Sequence, residues 1–249
     1  MSRAAVVTGA TRGIGLACAA AFASRGWGVV MVGRSGAELA EAAGRLGERA
    51  IPVVGDVRDP RTSRGAVSAA LDRFGRVDAV VGNAGVTLAK SVDGTTEAEL
   101  DHLIAVNVKA LVYLAQATHD CLRRTRGSFV VMASNKGLVA QRRSPVYVAT
   151  KGAAVQLARA LALDWAPDGI RVNAVCPGLV DTPMLAAFVA ALPDAGQARR
   201  RLAREQPLGR LATPAGSQHS DGSRERQEEV LLNQSRLNSS VSHTGYRGE

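Results

Sequence analysis

At 249 residues with 46% hydrophobic side chains, the chain has the length and apolar content of one large α/β domain, and a second full domain is not expected. Mean hydropathy is +0.01, and no apolar run approaches the ~18 residues of a membrane-spanning helix. The formal charge of +9 comes from dispersed arginines with no nucleic-acid-binding motif beside them, so neither nucleic acid nor membrane is expected as a partner.

Met1 to Val7 runs straight into a strand-like segment with no secretory signal, which makes the cytoplasm the expected location. From Ala4 to Val175, short β-branched runs alternate with stretches of helical period, the pattern of repeated βα units on a parallel sheet. Strands are predicted at Ala4–Thr8, Val29–Val32, Ile51–Val54, Val77–Val81, Phe129–Ala133 and Arg171–Val175. Between the first two, Ile14, Ala17, Cys18, Ala21 and Phe22 form an apolar helical stripe that ends at Gly26. A further helix is predicted from Thr96, where Thr96 and Glu99 make a capping-box pattern. The expected fold is a three-layer, Rossmann-like, doubly wound parallel sheet.

The first strand leads directly into Thr8-Gly9-Ala10-Thr11-Arg12-Gly13-Ile14-Gly15, which opens the first helix. Glycines at such a turn permit close backbone approach, so amides at the helix N-terminus can hold a pyrophosphate. At the end of the second strand, where an acidic side chain would select the ribose 2′-hydroxyl of NAD, stands Arg34. With Arg12 it suits a 2′-phosphate, and NADP(H) is favoured over NAD(H).

Further along, Tyr147 and Lys151 lie four residues apart, on one face of a predicted helix whose apolar stripe continues through Ala154, Leu157, Ala158 and Leu161. A nearby cation favours phenolate, which moves a tyrosine toward acid-base work near neutral pH. The cysteines Cys18, Cys121 and Cys176 and the four scattered histidines lack metal-ligand spacing, and no metal is expected.

Taken with the glycine turn, Asp56, Asn83-Ala84-Gly85, Asn107, Ser134, Tyr147 with Lys151, and Pro177-Gly178 followed by Thr182, the chain resembles the short-chain dehydrogenase/reductase family over residues 3 to about 214. Ser134 also lies 13 residues before Tyr147, the usual family separation. The resemblance implies hydride transfer between a nicotinamide cofactor and a ketone or secondary alcohol, with Tyr147 as proton donor and acceptor. It further implies that Ser134 binds the substrate oxygen, that Lys151 contacts the nicotinamide ribose and lowers the Tyr147 pKa, and that Asn107 holds a water in a proton relay. Asp56 with Val57 would sit by the adenine, Asn83 to Gly85 would line the cofactor, and Val180 with Thr182 would position carboxamide and phosphates. A homodimer or homotetramer is the expected assembly.

After Pro214 the composition changes: seven of the 35 residues from 215 to 249 are apolar. The family's last helix and strand are expected to be missing or replaced, leaving residues 1–214 as the catalytic domain and 215–249 as a disordered polar tail that exposes the last strand and weakens assembly. The substrate loop is expected from about Met184 to Leu208. Its Arg199, Arg200, Arg201 and Arg204, with Arg142 and Arg143, either form a solvated face or favour an anionic substrate such as a 3-oxoacyl thioester. The rival functional class is a cofactor-binding protein, catalytically impaired by its altered C-terminus.

Overall fold

The computed structural model describes residues 2–190, 194–206 and 208–214. Six strands, β1 (Ala4–Thr8), β2 (Gly28–Gly33), β3 (Ala50–Val54), β4 (Ala79–Gly82), β5 (Ser128–Met132) and β6 (Arg171–Val175), form one sheet in the order β3-β2-β1-β4-β5-β6. Every pairing is parallel. β1, β2 and β4 are buried along their whole length, which explains why they read as unbroken Val and Ala runs with no polar alternation.

Helices cover both faces. On one side, α1 (Gly13–Ser24) and α2 (Gly36–Leu46) bury Ala19, Leu39 and Ala42 against Val7, Val29 and Met31. On the other, α3 (Pro60–Phe74), α5 (Ala110–Thr125) and α6 (Pro145–Asp164) bury Ala66, Leu114, Leu122 and Val155 against Val6, Val80 and Phe129. The helix read from its capping box is α4 (Glu97–Ile104), in which the Glu99 amide donates to Thr96 Oγ1 at 3.3 Å and the Thr96 amide to Glu99 Oε2 at 2.8 Å. It runs through one π-helical turn, Ala105–Lys109, directly into α5.

Gly26 ends α1 as anticipated: its φ of +79° lies in the left-handed region, and its amide returns to the Ala23 carbonyl at 2.9 Å. β4 starts at Ala79 and not at Val77, because the Val77 carbonyl accepts from the Thr125 hydroxyl at 2.7 Å and does not join the ladder. The expected loop from Met184 is largely helical among the described residues: α7 (Pro183–Ala190) and α8 (Ala195–Arg204) pack together through Leu185, Val189 and Ala198.

β6 has β5 on one side, and among the described residues no strand on the other. The polar tail expected at 215–249 lies outside the described residues. No helix among the described residues is long and apolar enough to cross a membrane.

The amino ends of β1, β4 and β5 are tied together by Asp78, whose side chain is 9% exposed. Its carboxylate accepts from the Ala4 amide at 2.9 Å and takes the Arg76 guanidinium on both oxygens, at 2.9 and 2.6 Å. Asp78→Ala strands a buried amide and a half-buried cation, so the midpoint of urea unfolding should fall by the equivalent of about 2–4 kcal/mol. A change under about 0.5 kcal/mol would show that water replaces the carboxylate without loss.

Candidate active site

The strand order reverses between β1 and β4, and there the carboxyl ends of neighbouring strands feed loops in opposite directions and leave a crevice. The glycine turn forms its rim. Gly9 and Gly13 have φ of +62° and +59°, and a Cβ on Gly9 would lie 2.9 Å from the Ala84 Cα. A Cβ on Gly15 would collide with the Gly9 carbonyl. Thr11 closes over Gly33, where its hydroxyl would lie 2.4 Å from any Cβ, so the end of β2 is drawn against the turn. Arg12 is the N-cap of α1, yet makes no capping side-chain hydrogen bond, and the helix has no acid in its first turn. The N–H groups there remain available to an external anion, and that fits a dinucleotide pyrophosphate.

Asn83 binds this turn to the loop after β4. Its amide Nδ2 donates to the carbonyls of Thr8 and Gly9 at 2.9 and 3.1 Å. Thr8 Oγ1 in turn accepts from the amides of Asn83 and Ala84 at 3.0 and 3.1 Å. Asn83 and Ala84 therefore shape the crevice as a brace, while Ile14, Asn83 and Gly85 line it. Thr8 was invisible as a site residue, because a strand-ending Thr carries no motif of its own.

Ser134 and Tyr147 enter from β5 and α6. The Ser134 hydroxyl accepts from the Lys136 amide at 3.1 Å, as the cap of a short 3₁₀ turn at Asn135–Gly137. Burial pushes the Tyr147 phenol above its ordinary value, and a hydrogen bond with Ser134 pulls it partly back. Lys151, 6% exposed, donates to the Met132 carbonyl at 2.9 Å, and its Nζ sits 6.0 Å from the centroid of the Tyr147 ring. Burial lowers its ammonium to about 8. Burial is thus the largest influence on the Tyr147 phenol in this geometry, and the Lys151 ammonium is bonded to a backbone carbonyl.

Asn107 lies in the π-helical turn, 1% exposed. Its side chain exchanges two hydrogen bonds with the Val86 backbone, both 2.9 Å, and donates to Thr150 Oγ1 at 3.0 Å. Thr150 Oγ1 donates to the Tyr147 carbonyl at 2.8 Å. The side chain is committed to fastening α6 to the loop after β4. Both Nδ2 hydrogens are engaged, and Oδ1 keeps a second acceptor site beyond the bond from the Val86 amide.

At the far end of the crevice, Arg34 and Arg12 are exposed. Asp56 is held on both oxygens by Arg58, at 2.7 to 3.1 Å, which lowers its pKa, and Arg34 adds a smaller pull in the same direction. Arg58 was not singled out from the sequence. Val57 is half-buried against the core and serves packing there. Pro177, Gly178, Val180 and Thr182 all line the cleft, and the Thr182 hydroxyl accepts from the Leu185 amide at 3.3 Å at the start of α7. Lys136, Gln141, Ser144 and Thr87 also line the cleft, and no sequence motif marks them. Arg142 and Arg143 are exposed and outside it, while Arg199 pairs with Asp181 at 2.8 Å. Among the described residues no three His, Cys, Asp or Glu side chains gather as metal ligands.

A doubly wound sheet, a glycine-turn helix and a Ser–Tyr–Lys cleft at its switch point define an oxidoreductase of the dinucleotide-binding kind. The sequence model of the family described as short chain dehydrogenase matches residues 3–192. L-fucose dehydrogenase of Oryctolagus cuniculus is 37% identical over 215 residues, covering 84% of this chain and 74% of that protein. The crystal structure of 3-ketoacyl-(acyl-carrier-protein) reductase from Brucella melitensis complexed with NADH superposes with a TM-score of 0.79 at 30% identity, over 86% of each chain. A point variant of actinorhodin polyketide ketoreductase with NADPH gives 0.81, also at 30% identity and 86% of each chain. The chain belongs to the short-chain dehydrogenase/reductase family, and it is an oxidoreductase of alcohols and ketones.

Lys151 supplies a pH test of the site's packing. Its folded value, about 8, lies below the ordinary 10.5, so between these the unfolded chain binds more protons and stability rises with pH. Lys151→Met removes this. Between pH 8 and pH 10.5, wild type should gain on the variant by on the order of 3 kcal/mol in denaturant unfolding. A pH-independent difference would mean that the ammonium is solvated in the folded state.

Proposed function

We propose that the chain transfers hydride between NADP(H) and a ketone or secondary alcohol, with Tyr147 as the proton donor and acceptor. The observation that carries this reading is the convergence of Ser134, Tyr147 and Lys151 on one cleft with the glycine-turn end of α1. When bound, the nicotinamide ring supplies or accepts the hydride. Tyr147 gives its proton to the carbonyl oxygen in reduction and takes one from the hydroxyl in oxidation. Ser134, already hydrogen-bonded to Tyr147, holds that same oxygen. Lys151 stiffens the floor of the cleft through Met132 and supplies positive charge when protonated. Asn107 and Thr150 position the Tyr147 segment by its backbone.

Because burial raises the phenol, Tyr147 is protonated at neutral pH and stands ready as the acid for reduction. Initial rates should therefore fall with rising pH for ketone reduction and rise for alcohol oxidation. Tyr147→Phe should lower kcat by at least roughly 100-fold in both directions while NADPH affinity by calorimetry stays within about threefold. Retained turnover would remove Tyr147 from the reaction.

Preference for NADP(H) is supported by two exposed arginines, Arg12 at the N-cap of α1 and Arg34 just past the end of β2, where Arg34 acts on Asp56 more weakly than the bidentate Arg58 does. Charge-assisted bonds to a 2′-phosphate would use the two arginines that Asp56 does not hold bidentately. Arg34→Asp should weaken NADPH by roughly 10- to 100-fold and leave NADH within about threefold or tighter. Equal losses for both cofactors in titration calorimetry would show that Arg34 does not read the 2′-position.

A further inference from the structure

The half of the cleft beyond Ser134 and Tyr147 has two unlike walls. One comes from α7 and is apolar, with Leu185 and Phe188. The other comes from the segment between β5 and α6 and is polar, with Lys136, Gln141 and Ser144. Among the described residues, no Asp or Glu lines the cleft. Lys136 is half-buried there, and no ion pair among the described residues engages its ammonium. Of the chain's other lysines, Lys90 is paired with Glu99 at 2.8 Å, and the buried Lys151 is bonded to the Met132 carbonyl.

The position of Lys136 is fixed at its backbone. Its amide donates to Ser134 Oγ at 3.1 Å, so its side chain starts one hydrogen bond away from the hydroxyl that holds the reacting oxygen. A cation that lines a partly apolar cleft and has no carboxylate partner among the described residues is a ready partner for an organic anion. The exposed Arg142 and Arg143 cannot serve this purpose as well, since charges in bulk solvent are screened and already hydrated.

We infer that Lys136 anchors a substrate carboxylate, so that the enzyme acts on hydroxy acids and oxo acids, with the reacting carbon at Ser134 and Tyr147 and the hydrocarbon part on Leu185 and Phe188. This rests on the reading of Ser134 and Tyr147 as the catalytic pair. It moves the electrostatic selection of substrate from the arginines of the surface to one lysine inside the cleft. Gln141 supplies an amide donor on the same wall for the second carboxylate oxygen, whereas the Ser144 hydroxyl is engaged with the Arg143 carbonyl at 2.7 Å.

The test uses the full chain with NADPH and compares levulinate and acetoacetate, each with its methyl ester, and cyclohexanone as an uncharged ketone. Wild type should prefer the acids over their esters by roughly 10- to 100-fold in kcat/KM, mainly through KM. Lys136→Met should abolish that preference and leave the esters and cyclohexanone within about threefold; Lys136→Arg should restore most of it. A wild type that treats acid and ester alike, that reduces cyclohexanone but neither acid, or a Lys136→Met variant that loses acid and ester equally, overturns the assignment. Tyr147→Phe separates the two readings. It should lose turnover of every ketone and still show levulinate binding to the NADP⁺ complex by thermal shift, a shift that Lys136→Met lacks. Retained turnover in Tyr147→Phe would overturn the catalytic reading instead.

Discussion

The site depends on the way the sheet is knitted at the point where its order turns, between β1 and β4. There the last residue of β1, Thr8, accepts on its hydroxyl from two amides of the loop after β4 and on its carbonyl from the Asn83 side chain. Parallel strands alone would leave a crevice of indefinite width. These bonds set it by fixing the glycine turn against the segment that faces the cleft, and the close approach of Gly9 to Ala84 leaves no slack for a side chain. Because β-strands and the helix dipole point the same way in every βα unit, the widest gap in the sheet and the best anion-binding end of α1 coincide.

A second brace works on the catalytic helix. The π turn at Ala105–Lys109 adds a residue to the helical count and turns Asn107 inward, where it reaches both Val86 and Thr150. An uninterrupted α-helix would carry the same residue past the loop. The irregularity therefore locates α6, and with it Tyr147, relative to the loop after β4, and its placement at a functional site follows the usual pattern of such bulges. The energetic consequence falls on Lys151. Its ammonium is removed from water by the same packing that fixes the helix, and a single carbonyl bond does not restore its ordinary pKa.

How much of this could be read from the chain follows from what each signal encodes. The strands are legible because buried positions demand β-branched and small apolar residues, and two of them, the fully buried Ala4–Thr8 and the half-buried Arg171–Val175, coincide end to end with the predicted spans. Their register with neighbours was not, since parallel pairing leaves no local trace. Glycines were legible because the backbone forces them. Thr8, Thr150 and Arg58 were not, because a threonine or an arginine has no unique use and its role is set by partners distant in sequence, as with Asn107 and Thr150, which lie 43 residues apart. The helices α7 and α8 are hard to read from sequence because α7 is a short apolar segment of eight residues and α8 is alanine- and arginine-rich, and their packing on each other rests on Leu185, Val189 and Ala198.

Charge was the most misleading signal, and the reason is physical. The sequence presents clustered arginines at 199–201 and 142–143, and a count of charges gives them priority over an isolated lysine. What a charge can do at a site depends on its hydration and its competitors. Arg199 is taken by Asp181, Arg142 and Arg143 stand in water, and each interacts across a dielectric that reduces a contact to about 1 kcal/mol or less. Lys136 is a single cation, but it lines the cleft half-buried and is tied by its amide to Ser134, with no carboxylate among the described residues that line that space. Position against the cleft, and not the number of charges, gives this one lysine a role that five arginines outside the cleft lack.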